Sequence, residues 1–213
     1  MKQLLYKEFR LAIHPLFLLV SLLSALVLIP SWPYFIALMY LCFITVPNIL
    51  TIGKASNDIG FSVSLPVRKR DVVAARFVTI IVLQLLQLLV AAVCAPLRNG
   101  LYPFPNALFD LTPSFFGFAF VMYALYNAIV LPMFYKTAYK IGIPVIIGTV
   151  AAVIFAAGAE MLVLMSPAAA AYLDNLHDPV SQLPVLIGGI LVFALVNFAA
   201  YRLSARRFEK VDL

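Results

Sequence analysis

Residues 72–97 read VVAARFVTIIVLQLLQLLVAAVCAPL, an apolar run broken by one charge, Arg76, and a few uncharged polar groups. A run of about 20 apolar residues matches the ~30 Å hydrocarbon core of a bilayer at ~1.5 Å rise per residue. Inside lipid every backbone N–H and C=O must be bonded within the protein, which leaves only helices or a closed barrel. The run is continuously apolar and does not alternate as a barrel strand would, so it predicts a helix. Five further runs of the same kind lie at 15–29, 33–52, 113–135, 141–165 and 184–203. The expected fold is therefore all-α: a polytopic integral membrane protein with six transmembrane helices, a single membrane domain over 1–213, and no room for a soluble catalytic domain.

Composition agrees. Of 213 residues, 64% are apolar and 11% charged, with mean hydropathy +1.05. A soluble domain carries about 25% charged residues. Residues 1–14 are charged and aromatic, and the apolar run after them lacks a small-residue cleavage site, so that run reads as a retained first span and not a signal peptide. Cys42 and Cys94 fall inside apolar runs without metal-like spacing and behave as small hydrophobes.

Orientation comes from the basic residues. With the N-terminus inside, fourteen of the fifteen lysines and arginines lie on the cytoplasmic side and only Arg98 lies outside. Both termini are then cytoplasmic and the chain is a multi-pass protein of the cell membrane. The net charge of +6 reports this topology and contact with anionic lipid headgroups, not nucleic acid. Pro30-Ser31-Trp32-Pro33 is a tight outer turn, Asp71 is the expected N-cap of the third span, Thr112-Pro113 opens the fourth and Ser166-Pro167 stops the fifth. The outer loop 166–183 has room for one short surface helix around Ala168–Ala171.

Two inner elements stand out. In Met1–His14, Leu5, Phe9, Ala12 and Ile13 share one helical face while Lys2, Lys7, Arg10 and His14 are polar, the pattern of an N-terminal interfacial helix or of a basic flank to the first span. The inner loop 53–71 mixes apolar and polar residues and then places Arg68, Lys69 and Arg70 before the third span. It reads either as a short helix pressed on a partner, stopped by Leu65-Pro66, or as a positive-inside anchor.

No catalytic constellation is visible. There is no HExxH or GxSxG, and Gly53-Lys54 lacks the upstream glycine of a phosphate-binding loop, so the chain is not read as an enzyme and no cofactor or metal is expected on it. Asp174, His177 and Asp178 have the generic spacing of a solvated acidic loop. Within the spans, ionisable groups are costly. Glu160, about 8 Å from the outer end of its helix, either reaches the headgroups or faces an outward cavity, and Gly148, Ala152 and Ala156 before it form a small-residue stripe that allows close helix approach. Gln84 and Gln87 share one face, continued by Ala91; Asn48, Asn127 and Asn197 are single amides in other spans. Such amides make interhelical hydrogen bonds or line a path, and Gln84, Gln87, Asn127 and Glu160 are the candidate translocation-path residues.

The stretch Ser64-Leu65-Pro66-Val67-Arg68-Lys69-Arg70-Asp71-Val72-Val73-Ala74-Ala75-Arg76-Phe77 resembles the inner loop of small ABC-2 type transporter permeases, where a leucine-proline-valine step precedes basic residues, an acid and a basic residue opening the third span. The start, Met1 to Phe9, is similar to that family's N-terminal segment. The resemblance implies a permease that dimerises with a second copy or a paralogue and pairs with a separate cytoplasmic ABC ATPase, which binds the ATP and Mg. It also implies a coupling helix over Asn57 to Leu65, with Asp58, Ile59 and Phe61 as contacts, a connecting helix over Leu4–His14, a bacterial origin, and export of an amphipathic peptide, a lipid-like molecule or an antimicrobial. The competing reading is a non-transporting regulatory or assembly subunit of the membrane. An intramembrane enzyme lacks the paired catalytic side chains it would need.

Overall fold

The computed structural model describes residues 2–8, 15–56, 67–102, 104, 106, 108–137 and 140–211. In chain order these form α1 (Lys2–Lys7), α2 (Pro15–Leu22) running into a 3-10 stretch (Leu23–Leu28), α3 (Tyr34–Tyr40), a π-helical stretch (Leu41–Thr45), α4 (Val46–Ala55), α5 (Lys69–Leu101), α6 (Pro113–Thr137), α7 (Gly142–Met165), α8 (Pro167–Leu173) and α9 (Leu183–Glu209). No strand occurs among the described residues. The chain is an all-α polytopic membrane protein.

Five continuous helical stretches are long and apolar enough to cross a bilayer: Tyr34–Ala55, Lys69–Leu101, Pro113–Thr137, Gly142–Met165 and Leu183–Glu209. The first expected run, 15–29, forms a shorter apolar helix. Its second half is 3-10, which rises ~2.0 Å per residue against ~1.5 Å for an α-helix, so α2 and the 3-10 stretch together reach about 24 Å. Ser31, with φ 58°, takes the left-handed conformation that reverses the chain in the outer turn. In the second stretch Pro47 lacks an N–H, and its ring opposes the carbonyl four residues back. The π turn just before it re-registers the backbone, and Asn48 Nδ2 bonds Ile44 O at 2.8 Å.

Several expected boundaries hold and others move: α5 continues past Leu97 to Leu101 and α9 past Leu203 to Glu209. Pro113 is the first residue of α6, with Thr112 Oγ1 accepting from Phe115 N at 3.3 Å. Ser166 caps α8, the short surface helix expected in the last outer loop. Asp71, expected as N-cap, lies instead in the first turn of α5, which starts one turn's worth of residues earlier after extended Arg68. A carboxylate there still complements the helix dipole. Residues 9–14 of the expected interfacial helix lie outside the described residues; in α1, Leu4 is buried and Tyr6 exposed.

Helix α6 is the hub. It packs most extensively on α9 and next on α7, and its apolar stretch is 61% buried against 28% for α7 and 22% for α9. Both contacts rest on small residues. The buried face of α7 runs through Pro144, Gly148, Ala152, Ala156, Ala159 and Val163, and includes the Gly148–Ala152–Ala156 stripe expected from the sequence. A Cβ on Gly148 would stand 2.4 Å from Val130 Cγ2. At the α6–α9 crossing the backbones touch: a Cβ on Gly189 would lie 2.3 Å from Gly117 O, and one on Gly117 would lie 2.6 Å from Val185 O. Lipid offers apolar helices no hydrophobic drive to associate, so this closeness supplies the dispersion contact that holds them. Gly189→Ala is expected to destabilise by about 1–3 kcal/mol, because backbone on both sides must move. Gly188→Ala, with nothing within 4 Å of its Cβ, leaves stability unchanged or slightly raised. Melting of the two variants in one detergent checks the difference.

Candidate functional site

Polar groups concentrate at three depths along α5, α6 and their neighbours. At the inner end, Arg76 on α5 is 5% exposed and pairs through Nη2 with Glu8 Oε1 at 3.1 Å, Glu8 being 3% exposed. Arg76 Nη1 also donates to Ile49 O at 3.3 Å. Gly53 lies against this guanidinium, a Cβ there standing 3.4 Å from both Nη atoms. One guanidinium thus joins the N-terminal segment, α4 and α5 at the root of the inner loop. On the loop's other side, Lys69 Nζ donates to Val211 O at 2.8 Å and lies over the Phe208 ring, and Arg70 pairs with Glu209. Arg207 Nη1 donates to Pro132 O at 3.0 Å. The C-terminal end of α9 is therefore tied both to the start of α5 and to α6. The expected docking residues Asn57, Asp58, Ile59, Phe61 and Leu65 lie outside the described residues.

At mid-depth the structure brings three of the four candidate path residues together. Gln84 on α5 and Asn127 on α6 exchange amide hydrogen bonds, Gln84 Nε2 to Asn127 Oδ1 at 2.9 Å and Asn127 Nδ2 to Gln84 Oε1 at 2.8 Å. Asn127 Nδ2 also donates to Asn197 Oδ1 on α9 at 2.8 Å. Gln87 Nε2 donates to Ala37 O at 2.9 Å. The Tyr123 hydroxyl lies 2.9 Å from both Leu38 O and Gln87 Oε1, so its single proton serves one acceptor at a time. Tyr126 donates to Cys42 O at 2.8 Å, beside the π turn. This buried seam ties four helical stretches to one another. Tyr123, Tyr126 and Asn127 were not singled out together from the sequence, although i, i+3, i+4 spacing puts them on one face of α6.

Glu160, the fourth candidate, belongs to an outer group. Its Oε2 accepts from Phe109 N at 2.8 Å. Beside it, Arg98 Nη1 and Asp110 Oδ1 pair at 3.2 Å with both side chains 1% exposed. Asp110 accepts from Asn106 N through both oxygens, and its own N–H donates to Asp174 Oδ1 at 2.7 Å. Thr112 Oγ1 donates to Leu173 O, and Gln182 bonds Ser114 N and Asn175 O. The two long outer loops thus close over the bundle as one cap. Arg98 and Arg76 stand 22 residues apart on one helix, about 33 Å, so the two buried ion pairs bracket a span close to the ~30 Å hydrocarbon core. A cavity of about 440 Å³ opens beside the cap, its wall including Arg98, Asn99, Tyr102, Phe104, Asp174 and His177. Asp174, His177 and Asp178 do not converge: Asp178 accepts from Ser181 N, and among the described residues no group of three metal-ligating side chains forms.

These features define a helical membrane protein with buried ion pairs toward both ends of α5 and a polar seam between them. The chain belongs to the ABC-2 family transporter proteins, whose family profile matches residues 3–209. Comparison with curated proteins and with solved structures gave no match.

Two outcomes follow from this geometry. Gln84→Met or Asn127→Leu alone orphans a buried amide and is expected to cost about 1–3 kcal/mol, while the double variant costs less than the sum, a coupling readable from three melts. In the cap, burial pushes the Asp174 carboxyl up to about 7 from 3.8, the hydrogen bond from Asp110 only partly opposing it, and burial also raises Asp110 against the pull of the Asn106 amide and Arg98. Between those values the folded cap holds a proton that the unfolded chain has lost. The stabilisation is therefore complete below about pH 4 and lost as pH rises through about 7. Amide exchange at residues 108–112 and 174–178, corrected for intrinsic rate, should be slower at about pH 5.5 than at about pH 8, and Asp174→Asn should flatten the difference.

Proposed function

We propose that the chain is the membrane-spanning permease subunit of an ATP-driven exporter, working with a separate cytoplasmic ABC ATPase and with a second permease copy or paralogue. The ATPase partner supplies the ATP and Mg. The substrate class is amphipathic: a peptide, a lipid-like molecule or an antimicrobial. The chain lies in the bacterial cell membrane with both termini in the cytoplasm.

The observation that carries this reading is membership of the ABC-2 transporter family over residues 3–209. The roots of the inner loop support it. On one side Arg76 binds α4 and the N-terminal segment; on the other Lys69 and Arg70 bind the end of α9. A push delivered to residues 57–65 would reach α4, α5 and α9 together through these bonds. In the proposed cycle that push parts α5 from α6. Gln84 and Asn127 then offer to substrate the donors and acceptors they otherwise give each other, Gln87 those it otherwise gives Ala37 and Tyr123, and Glu160 meets it on the outer side.

Asp58→Lys and Phe61→Ala are expected to abolish co-purification of a stoichiometric ATPase from native membranes in mild detergent while the permease itself stays folded. An ATPase that remains bound to both variants would overturn the docking assignment. Absence of any ATPase from the intact wild-type protein would favour the regulatory or assembly reading.

A further inference from the structure

Arg98 is the one basic residue on the outer side, and it is buried where only part of its hydrogen-bonding capacity is used. Nη1 serves Asp110 and Asn99 Oδ1, at 3.2 Å each. Nε and Nη2 find no hydrogen-bond partner among the described residues, although the side chain is 1% exposed. A guanidinium only donates, and it does so in a fixed planar fork that suits the oxygens of carboxylate and phosphate. Leaving two such donors buried and unmatched is costly, and Arg98 forms part of the wall of the outer cavity. At the same cavity Tyr102 and Phe104 pack edge to face with ring centroids 5.7 Å apart, Phe104 being 49% exposed.

We propose that the outer cavity is an oxyanion site, in which the free N–H groups of Arg98 bind the phosphate or carboxylate of an amphiphile whose apolar part lies on Tyr102 and Phe104. This goes beyond the transport reading and stands whether or not the chain transports anything.

The opposing charges are explicit. Asp174 lies on the same wall, Asp110 pairs with Arg98, Glu160 lies behind Phe109, and the buried Tyr34 ring stands against the guanidinium with its centroid 5.9 Å from Arg98 Cζ. An ionised Asp174 repels an anion. Its carboxyl is held up to about 7 by burial, so binding strengthens as pH falls through that range. His177 lies exposed on the same wall.

The test uses the full chain in neutral maltoside detergent and the fluorescence of Trp32, its single tryptophan, whose carbonyl accepts from Asn106 Nδ2 in the cap. Inorganic phosphate and dihexanoyl-phosphatidylglycerol are titrated, with octyl glucoside as the uncharged amphiphile. Saturable binding is expected at about pH 5.5, weakening about tenfold by about pH 8. Binding by phosphate alone identifies a free anion as sufficient; binding by the phosphatidylglycerol only identifies a lipid headgroup. Arg98→Gln removes the site, and Asn99→Asp keeps the fold while placing a carboxylate on Arg98, so each is expected to weaken binding by about tenfold or more. No saturable response to either anion, an equal response to octyl glucoside, or wild-type affinity in folded Asn99→Asp overturns the proposal.

Discussion

A hydrocarbon interior gives a polar side chain no water to turn to, and that constraint organises these helices. Gln84, Gln87, Tyr123, Tyr126, Asn127 and Asn197 lie at mid-depth among apolar residues, and each is bonded to a side chain or carbonyl on another helix or on its own. Because the partners lie on different helices, satisfying the amides also sets the register of α3, α5, α6 and α9. The π turn at Leu41–Thr45 fits the same scheme. Pro47 disturbs the ladder, and Tyr126 donates to the Cys42 carbonyl in that turn.

Charge obeys the constraint in another way. Arg76 lies in the first half of α5 and Arg98 near its end, each paired with a carboxylate and largely buried. Burying an ion pair gains little net stability, since desolvation offsets most of the attraction. Breaking one, however, strands the other charge. Such pairs therefore act less as glue than as specifications of where helices must meet. Arg76 specifies that the N-terminal segment, α4 and α5 converge under the inner loop, and Arg98 that α5 meets the outer cap.

The two ends differ in what they leave free. The inner cluster joins its elements into one unit at the base of residues 57–66, which suits transmission of a movement to several helices. The outer cluster instead contains three carboxylates close enough to influence one another and an arginine with donors to spare. Between them, the close Gly117–Gly189 contact keeps α6 and α9 together while α7 and α9 present long apolar faces outward, among them Ile154 and Leu195.

Much of the fold was legible in the sequence because lipid imposes a one-dimensional rule: an apolar run of sufficient length becomes a helix. The all-α class, the short surface helix at Ala168–Ala171, the Gly148–Ala152–Ala156 stripe and the buried cysteines follow from local residues alone. Pairing is not local. Glu8 and Arg76 are 68 residues apart, Arg98 and Asp110 lie in different elements, and Gly117 gains its meaning from Gly189. No period or motif encodes which amide faces which. The sequence by itself determined the helices and the family resemblance of the inner loop. Only the tertiary structure decided that Gln84, Gln87 and Asn127 bond within one buried seam while Glu160 joins the outer cap, because hydrogen bonds between helices depend on rotation and depth that hydropathy does not carry.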